Sequence, residues 1–178
     1  SRMPNLLHDD EGDSISEKNR SYCELTGQYW AWQNTDADYY GFLHYRRYFN
    51  FSKTEYPIHH EPFIFGDVTF DRNDDETLQR IDFNEEAMRK VITAHDFIAP
   101  EPIEALEKTT VYEQYRDSFG HHIEDLDTVM DNIRLKYPDI WPSAQKYLNQ
   151  TKVYVCNMFV MRRELFRAYS AFLFDVLS

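Results

Sequence analysis

The sequence predicts an α/β fold, in which helices flank a sheet. Residues 37–45 and 152–161 are rich in apolar, aromatic and β-branched side chains, which is typical of buried strands. Between these strands, apolar residues recur at the spacing of amphipathic helices. Strands that alternate with helices indicate α/β layers, and a chain of 178 residues is long enough to form one such domain around a real core.

The first helix is predicted to begin at Ser16, a favourable N-cap residue, and to run to about Asn34. A second helix begins after Asn84, with two glutamates in its first turn, and ends near Ala94. His59 and His60 fall in an irregular stretch that we predict to be a solvated loop. The other predicted elements are a strand at 95–99, a helix at 103–119 with a break near 109–110, helices at 121–137 and 143–149, and a final helix from Arg163.

The chain carries 31 acidic residues against 19 lysines and arginines, which gives a formal net charge of -12. Such a surface repels nucleic acid, which needs a cationic footprint, and disfavours broad attraction to anionic lipid. A site for an anionic ligand must therefore be a local cluster of cations. The sequence contains no apolar stretch long enough to span a membrane and no visible signal peptide. We therefore expect a cytoplasmic protein, either free or associated with the inner face of the cell membrane.

The two cysteines, Cys23 and Cys156, each lie in an apolar or aromatic neighbourhood. This predicts buried free thiols, because unpaired cysteines are among the most buried residue types. Their spacing does not match a metal site, and free thiols suit a reducing compartment.

Arg46 and Arg47 come directly after the predicted strand 37–45. In open α/β sheets, ligands bind beyond the carboxyl ends of the strands. The planar guanidinium group donates two parallel hydrogen bonds and is well matched to phosphate. The two arginines are therefore candidates for holding a diphosphate; the alternative is that both pair with acidic groups at the surface.

Asp36 and Asp38 have the Asp-x-Asp form that chelates Mg²⁺ or Mn²⁺ beside phosphate groups. These acids precede the predicted strand, so they should lie at the opposite edge of the sheet from Arg46 and Arg47. We therefore favour a role in the turn that leads into the strand.

A polar cluster, His121, His122, Glu124 and Asp125, lies where a helix is predicted to begin. Histidine is a base or metal ligand near neutral pH, and either acid is suited to deprotonate a hydroxyl group. Acidic residues also stabilise a helix N-terminus, so a purely structural role stays open. The spacing does not match the helical two-histidine zinc motif.

Asn157 interrupts the otherwise apolar stretch 152–161. A buried amide needs hydrogen-bond partners. We predict that its partner is either a ligand or the neighbouring backbone.

Several segments together carry a resemblance that none carries alone. They are 12–19 (GDSISEKN), 22–26 (YCELT), 29–32 (YWAW), 36–39 (DADY), 44–49 (HYRRYF), 121–125 (HHIED) and 157–161 (NMFVM). In this order they resemble a bacterial family of capsular and exopolysaccharide biosynthesis proteins, long catalogued as a domain of unknown function and treated as glycosyltransferase-like. The resemblance covers about residues 7–178.

The resemblance implies the A-type glycosyltransferase fold, with a mixed, mostly parallel sheet and helices on both faces. It also implies transfer of a sugar from a nucleotide-diphosphate donor to a glycan or lipid-linked glycan acceptor. Such families usually open with a strand that holds the nucleotide. We expect residues 1–178 to be a single domain, and a fragment without this strand and without the family's C-terminal continuation.

The resemblance further implies roles for individual residues. His44, Arg46, Arg47 and Asn157 are expected to bind the donor, together with Asp13 and Asn19. Asp125, Glu124 and His122 are the candidate catalytic residues, and His121 is expected to contact the acceptor. No residue is assigned to a metal, and we expect the arginines to neutralise the leaving diphosphate with or without Mn²⁺ or Mg²⁺.

Two other functions fit parts of the sequence. One is a glycan-binding or assembly protein on the same fold, which would bind glycan without transferring sugar. The other is a metal-dependent hydrolase that uses the histidine pair, and a metal bound tightly by His121 or His122 would favour it.

Overall fold

The computed structural model describes residues 6–56, 68–105 and 108–178, so His59 and His60 lie outside the described residues. The helices are α1 (Asn19–Tyr22), α2 (Leu25–Asn34), α3 (Asp75–Arg80), α4 (Glu85–Ile92), α5 (Val111–Asp117), α6 (Ile123–Lys136), α7 (Trp141–Leu148) and α8 (Arg163–Val176). The strands are β1 (Tyr39–Phe42), β2 (Phe97–Ile98), β3 (Ile103–Glu104), β4 (Lys152–Val153) and β5 (Phe159–Arg162). Helices alternate with strands along the chain, which confirms the α/β prediction.

A three-stranded sheet in the order β1-β5-β2 forms the centre of the fold. β5 pairs antiparallel with both neighbours, so that Tyr39 lies opposite Arg162 and Phe97 lies opposite Met161. Because β1 and β2 both run opposite to β5, they run in the same direction. We call the edge where β1 and β2 end and β5 begins the carboxyl edge, and the opposite edge the amino edge.

The predicted mostly parallel sheet is not confirmed. Every strand pair in the described ranges is antiparallel, including that of β3 with β4 in a separate two-stranded sheet. β5 lies between β1 and β2, so the two strands that share a direction are not neighbours. What the structure supports is an α/β fold around a small antiparallel sheet.

Two cysteines divide elements that the sequence predicts to be continuous. Cys156 has a φ of 66°, a left-handed conformation that strands do not accommodate, and it separates β4 from β5. Cys23 has a φ of 47° and separates α1 from α2. Both thiols are exposed. The prediction of buried cysteines is wrong because both residues lie between elements rather than inside them.

Side-chain caps fix where two helices begin. The Asn84 side chain accepts a hydrogen bond of 3.0 Å from the Ala87 amide, which confirms Asn84 as the cap of α4. Thr110 and Glu113 form a capping box at the start of α5. This confirms the predicted break near 109–110, but Ile103 and Glu104, at the start of the predicted helix, form β3 instead. The helices α6, α7 and α8 lie close to their predicted bounds.

The core forms where α2 and α8 pack on the sheet. Phe166 of α8 is completely buried, and its ring stacks on Tyr40 of β1 with a centroid distance of 4.1 Å. Trp32 of α2 stacks on Phe174 of α8 at 5.8 Å. These aromatic contacts hold α8 against the sheet and α2 against α8. Within the described ranges, no helix is long and apolar enough to cross a membrane.

Candidate functional site

The carboxyl edge carries the turn that comes after β1. β1 ends at Phe42, three residues earlier than predicted, and the chain then turns at residues 44–47. The turn is closed by a hydrogen bond of 3.0 Å from the Arg47 amide to the His44 carbonyl. The Arg46 amide faces His44 Nδ1 at 3.4 Å, so Nε2 is the nitrogen left for other partners. Arg46 and Arg47 therefore lie beyond the strand end, as predicted.

Arg46 is held by an aromatic ring and not by an acid. Its guanidinium lies 4.6 Å from the centre of the Tyr45 ring, and the His44 ring lies 4.4 Å from Tyr45. Residues 39–54 contain no aspartate or glutamate. No carboxylate in the described part of the chain pairs with Arg46. The stack limits the conformations of this cation and leaves its charge available to an anionic ligand.

Asn157 lies at the same edge, just before β5, and a buried side chain holds it. Its Nδ2 donates to Gln28 Oε1 at 3.4 Å, near the long limit for a hydrogen bond. Gln28 Nε2 in turn donates to Ser170 Oγ at 3.3 Å. Gln28 and Ser170 are both completely buried. We predicted a ligand or the neighbouring backbone as the partner of Asn157. One partner in the structure is instead the side chain of Gln28, 129 positions away in the sequence.

Asp13 and Asn19 have clear local roles. Asn19 Nδ2 donates to the Cys23 carbonyl at 3.0 Å and to Thr26 Oγ1 at 3.2 Å, across the junction of α1 and α2. The backbone of Asp13 exchanges two hydrogen bonds with the side chain of Asn34. Asp13 thus fastens the N-terminal loop to α2, and Asn19 links α1 to α2. Their donor contacts stay predictions.

The cluster at 121–125 surrounds the start of α6. The His121 ring stacks on Tyr115 at 4.4 Å, and His122 is the N-cap residue, without a side-chain capping bond. All four candidate side chains, His121, His122, Glu124 and Asp125, are exposed. Among the described contacts, none joins them to the carboxyl edge. Their catalytic and acceptor-binding roles stay predictions.

Asp36 and Asp38 lie at the amino edge, where arginines of α8 neutralise them. Arg163 Nη2 lies 2.7 Å from Asp38 Oδ1, and Arg167 Nη2 lies 3.2 Å from Asp36 Oδ1. A depression of about 430 Å³ opens here, but its charged groups are already paired with one another. A metal held by Asp36 and Asp38 does not fit this arrangement. In the described ranges, no three His, Cys, Asp or Glu side chains group as metal ligands.

A smaller pocket of about 180 Å³ opens beside Asn157, between the end of β2, the start of β5, and α8. Its walls include Phe97, Pro100, Tyr154, Asn157, Phe159 and Tyr169. It therefore combines aromatic rings with an amide and phenol groups. Gln28 and Tyr169 do not stand out in the sequence, although a glutamine in an aromatic helical stretch is a sign of a buried polar contact.

Comparison with known proteins identifies a family and a solved structure that the chain resembles. Residues 1–178 match the family described as a domain of unknown function (DUF4422). The chain also resembles the apo structure of the bifunctional glycosyltransferase WbbM, with a TM-score of 0.85 and 34% sequence identity over 95% of the chain. This match spans only 30% of the WbbM chain. No curated protein matches the chain.

Proposed function

The chain belongs to the DUF4422 family, and from this premise we propose that it is a glycosyltransferase or a domain of one. The proposed reaction moves a sugar from a nucleotide-diphosphate donor to a growing surface glycan, at the cytoplasmic side of the membrane. The likeness to a bifunctional glycosyltransferase over almost the whole chain supports this proposal.

The observation that carries the proposal is the position of Arg46. The residue is exposed on the turn beyond the end of β1, and it has no carboxylate partner in the described part of the chain. The whole chain has a net charge of -12, so an arginine that pairs with none of the described acids is a marked exception. A bound diphosphate supplies the missing negative charge, and Arg47 on the same turn adds a second guanidinium.

In the proposed reaction, a hydroxyl oxygen of the acceptor forms a bond to the anomeric carbon as the bond from that carbon to the diphosphate breaks. Negative charge then develops on the leaving diphosphate. Cations that are already in place stabilise this charge most effectively, because they need no reorganisation during the reaction. The stack of Arg46 on Tyr45 supplies such a preorganised cation.

The acceptor hydroxyl must lose its proton in the same reaction. Asp125 and Glu124 are the proposed bases, with His122 beside them and His121 directed to the acceptor. Asn157 is proposed to contact the donor sugar, His44 the diphosphate, and Asp13 and Asn19 the rest of the donor. These assignments rest on the motifs and on the exposure of the start of α6.

Replacing Arg46 and Arg47 together by alanine tests the proposal. In the full protein, we expect sugar transfer to fall by about 10²- to 10³-fold, the usual effect of removing a transition-state hydrogen-bond donor. The single Arg46→Ala variant should also lose transfer and should change the melting temperature little, because Arg46 is exposed and pairs with no acid in the described ranges. Arg167→Ala, which removes a cation from the amino edge, is the matched control and should keep its transfer rate.

Turnover close to that of the wild type in the double variant would contradict the proposal. Donor or glycan binding without any transfer by the wild-type protein would instead favour a glycan-binding protein. Measuring transfer after divalent metal ions are removed by a chelator tests which cations neutralise the diphosphate. Activity that survives chelation indicates that the arginines suffice, whereas recovery only with Mn²⁺ or Mg²⁺ indicates metal ligands in the full protein.

A further inference from the structure

We infer that the pocket beside Asn157 is a subsite for an uncharged sugar ring, in which Tyr169 is a binding residue. This inference rests on the proposed function and assigns a ligand to one part of that site. A sugar ring presents an apolar face and a rim of hydroxyl groups. The pocket offers the matching surfaces: aromatic walls, and a few polar atoms at defined positions.

The charge distribution separates this pocket from the proposed diphosphate site. None of the described residues that line the pocket is charged, and the arginines of the 44–47 turn are not among its walls. A phosphate placed here would lose its hydration without gaining a cation. A ligand that reaches both places would therefore put its charged part on the turn and a neutral part in the pocket.

Two aromatic walls of the pocket are open to solvent. The Phe97 side chain is 47% exposed and Tyr154 is 52% exposed. Tyr154 is nevertheless held in place, because its amide donates to the Tyr147 hydroxyl at 3.1 Å and its ring stacks on Tyr147. The held ring of Tyr154, with Phe97 beside it, gives the cavity an exposed aromatic surface of the kind that packs on flat apolar faces.

Tyr169 supplies a polar group that no described residue engages. Its ring packs edge-to-face on Phe159 at 5.8 Å, which fixes its direction. Its hydroxyl makes no hydrogen bond to any residue that the structure describes. A phenol has an ordinary pKa of about 10, so Tyr169 carries its proton at neutral pH and can donate a hydrogen bond; burial raises this pKa further. A sugar oxygen in the pocket would satisfy this donor.

Asn157 provides the second polar group. One end of its amide is engaged by Gln28, and the side chain lines the pocket. An amide that is fixed at one end presents its other end in a defined direction. Together, Tyr169 and Asn157 give the pocket two fixed polar positions between aromatic walls, which is the arrangement that orients a polyhydroxylated ring.

Tyr169→Phe tests the inference, because it removes one hydroxyl and leaves the ring. A thermal-shift screen of UDP-, GDP- and dTDP-linked hexoses first identifies the donor, since a ligand that binds the native state raises its stability. The affinity of the full protein is then measured for that donor and for the same nucleotide diphosphate without sugar. We expect Tyr169→Phe to weaken sugar-dependent binding by about 3- to 10-fold, the range for loss of one neutral hydrogen bond.

The arms of this experiment distinguish the source of the sugar. Weaker binding of the nucleotide sugar, with unchanged binding of the nucleotide diphosphate, places the donor sugar in the pocket. Unchanged donor binding with a raised KM for the glycan acceptor places the acceptor sugar there. Phe97→Ala should affect the same substrate as Tyr169→Phe. Tyr40→Phe is the matched control: its hydroxyl bonds Ala37 and Thr35, so it should lower the melting temperature without changing either affinity.

If Tyr169→Phe and Phe97→Ala leave donor affinity and acceptor KM unchanged, the inference is overturned. The proposed function would survive that result, provided that the double Arg46 and Arg47 variant still loses transfer. If the wild-type protein binds none of the donors and transfers no sugar, the proposed function fails, and the subsite fails with it.

Discussion

At the amino edge of the sheet, Arg163 lies 3.3 Å from Asp36 and 2.7 Å from Asp38, whereas at the carboxyl edge Arg46 lies on the ring of Tyr45. The difference arises from the segments that the two strands lead into. β5 runs directly into α8, which presents Arg163 to the acidic segment before β1. β1 runs into a turn without acidic residues. The charges at the amino edge therefore stabilise the fold, and the charge of Arg46 at the carboxyl edge stays available for a ligand.

The two edges also differ in how familiar their charged motifs are. The Asp-x-Asp segment is the more familiar motif, yet its carboxylates are paired with arginines of the same chain. The partner of a charged side chain, rather than its type, decides whether it can bind a ligand. Three variants, two of them with a matched control, test whether stability depends on the amino edge and binding on the carboxyl edge.

Gln28→Leu should have the largest effect on stability, and it challenges the comparison most directly. The substitution keeps a similar volume but leaves the Asn157 amide and the buried Ser170 hydroxyl without their partner. We expect the free energy of unfolding to fall by about 1–3 kcal/mol. Sugar binding should weaken too, because Asn157 would lose its orientation. Chemical denaturation and nucleotide-sugar affinity measure the two effects.

Ser170→Ala is the control for Gln28→Leu. It removes the hydrogen bond from Gln28 to α8 but keeps the contact of Gln28 with Asn157. We expect lower stability with unchanged affinity for the sugar. If Ser170→Ala weakened binding as much as Gln28→Leu does, loosened packing would explain the result, and positioning of Asn157 would not.

Arg163→Ala should have the next largest effect, and only on stability. Arg163 is half-buried, and its Nε donates to the Ala37 carbonyl at 2.9 Å in addition to its ion pairs. Removing these charge-assisted bonds should cost about 1–2 kcal/mol in the free energy of unfolding and leave the transfer rate unchanged. Arg162→Ala, which loses only exposed ion pairs with Asp96 and Glu164, should cost less than about 1 kcal/mol. If Arg163→Ala kept its stability but lost transfer, the result would indicate that the reaction takes place at the amino edge.

The sequence predicts those features that depend on neighbouring residues. The cap at Asn84, the strand that leads to the 44–47 turn and the helix that starts at Arg163 all arise from local signals, and the structure confirms them. The positions of Arg46 beyond a strand end, and of Asp36 at the opposite edge, depend on strand direction alone.

Features that depend on distant contacts were not predictable in this way. The antiparallel sheet depends on the insertion of β5 between β1 and β2, which are far apart in sequence. The contact of Gln28 with Asn157 joins residues 129 positions apart. The left-handed conformation of Cys156 is unusual for a residue with a side chain, and no composition rule predicts it there.

Asp175→Asn should have the smallest effect, and it tests the contact between the ends of α6 and α8. Asp175 accepts a hydrogen bond of 2.9 Å from Tyr137 and pairs with Lys136, which ties the end of α6 to the end of α8. The hydrogen bonds from Tyr137 and then Lys136 hold the pKa of Asp175 below its usual value. A carboxyl whose pKa is lower in the folded state stabilises the protein above its unfolded pKa of about 3.9, and this contribution is lost as the pH falls through the folded pKa. The difference in melting temperature between wild type and Asp175→Asn should therefore be greatest near pH 6 and shrink toward pH 3. Transfer should be unaffected. A loss of transfer in this variant would contradict the expectation that the contact between the ends of α6 and α8 serves stability alone.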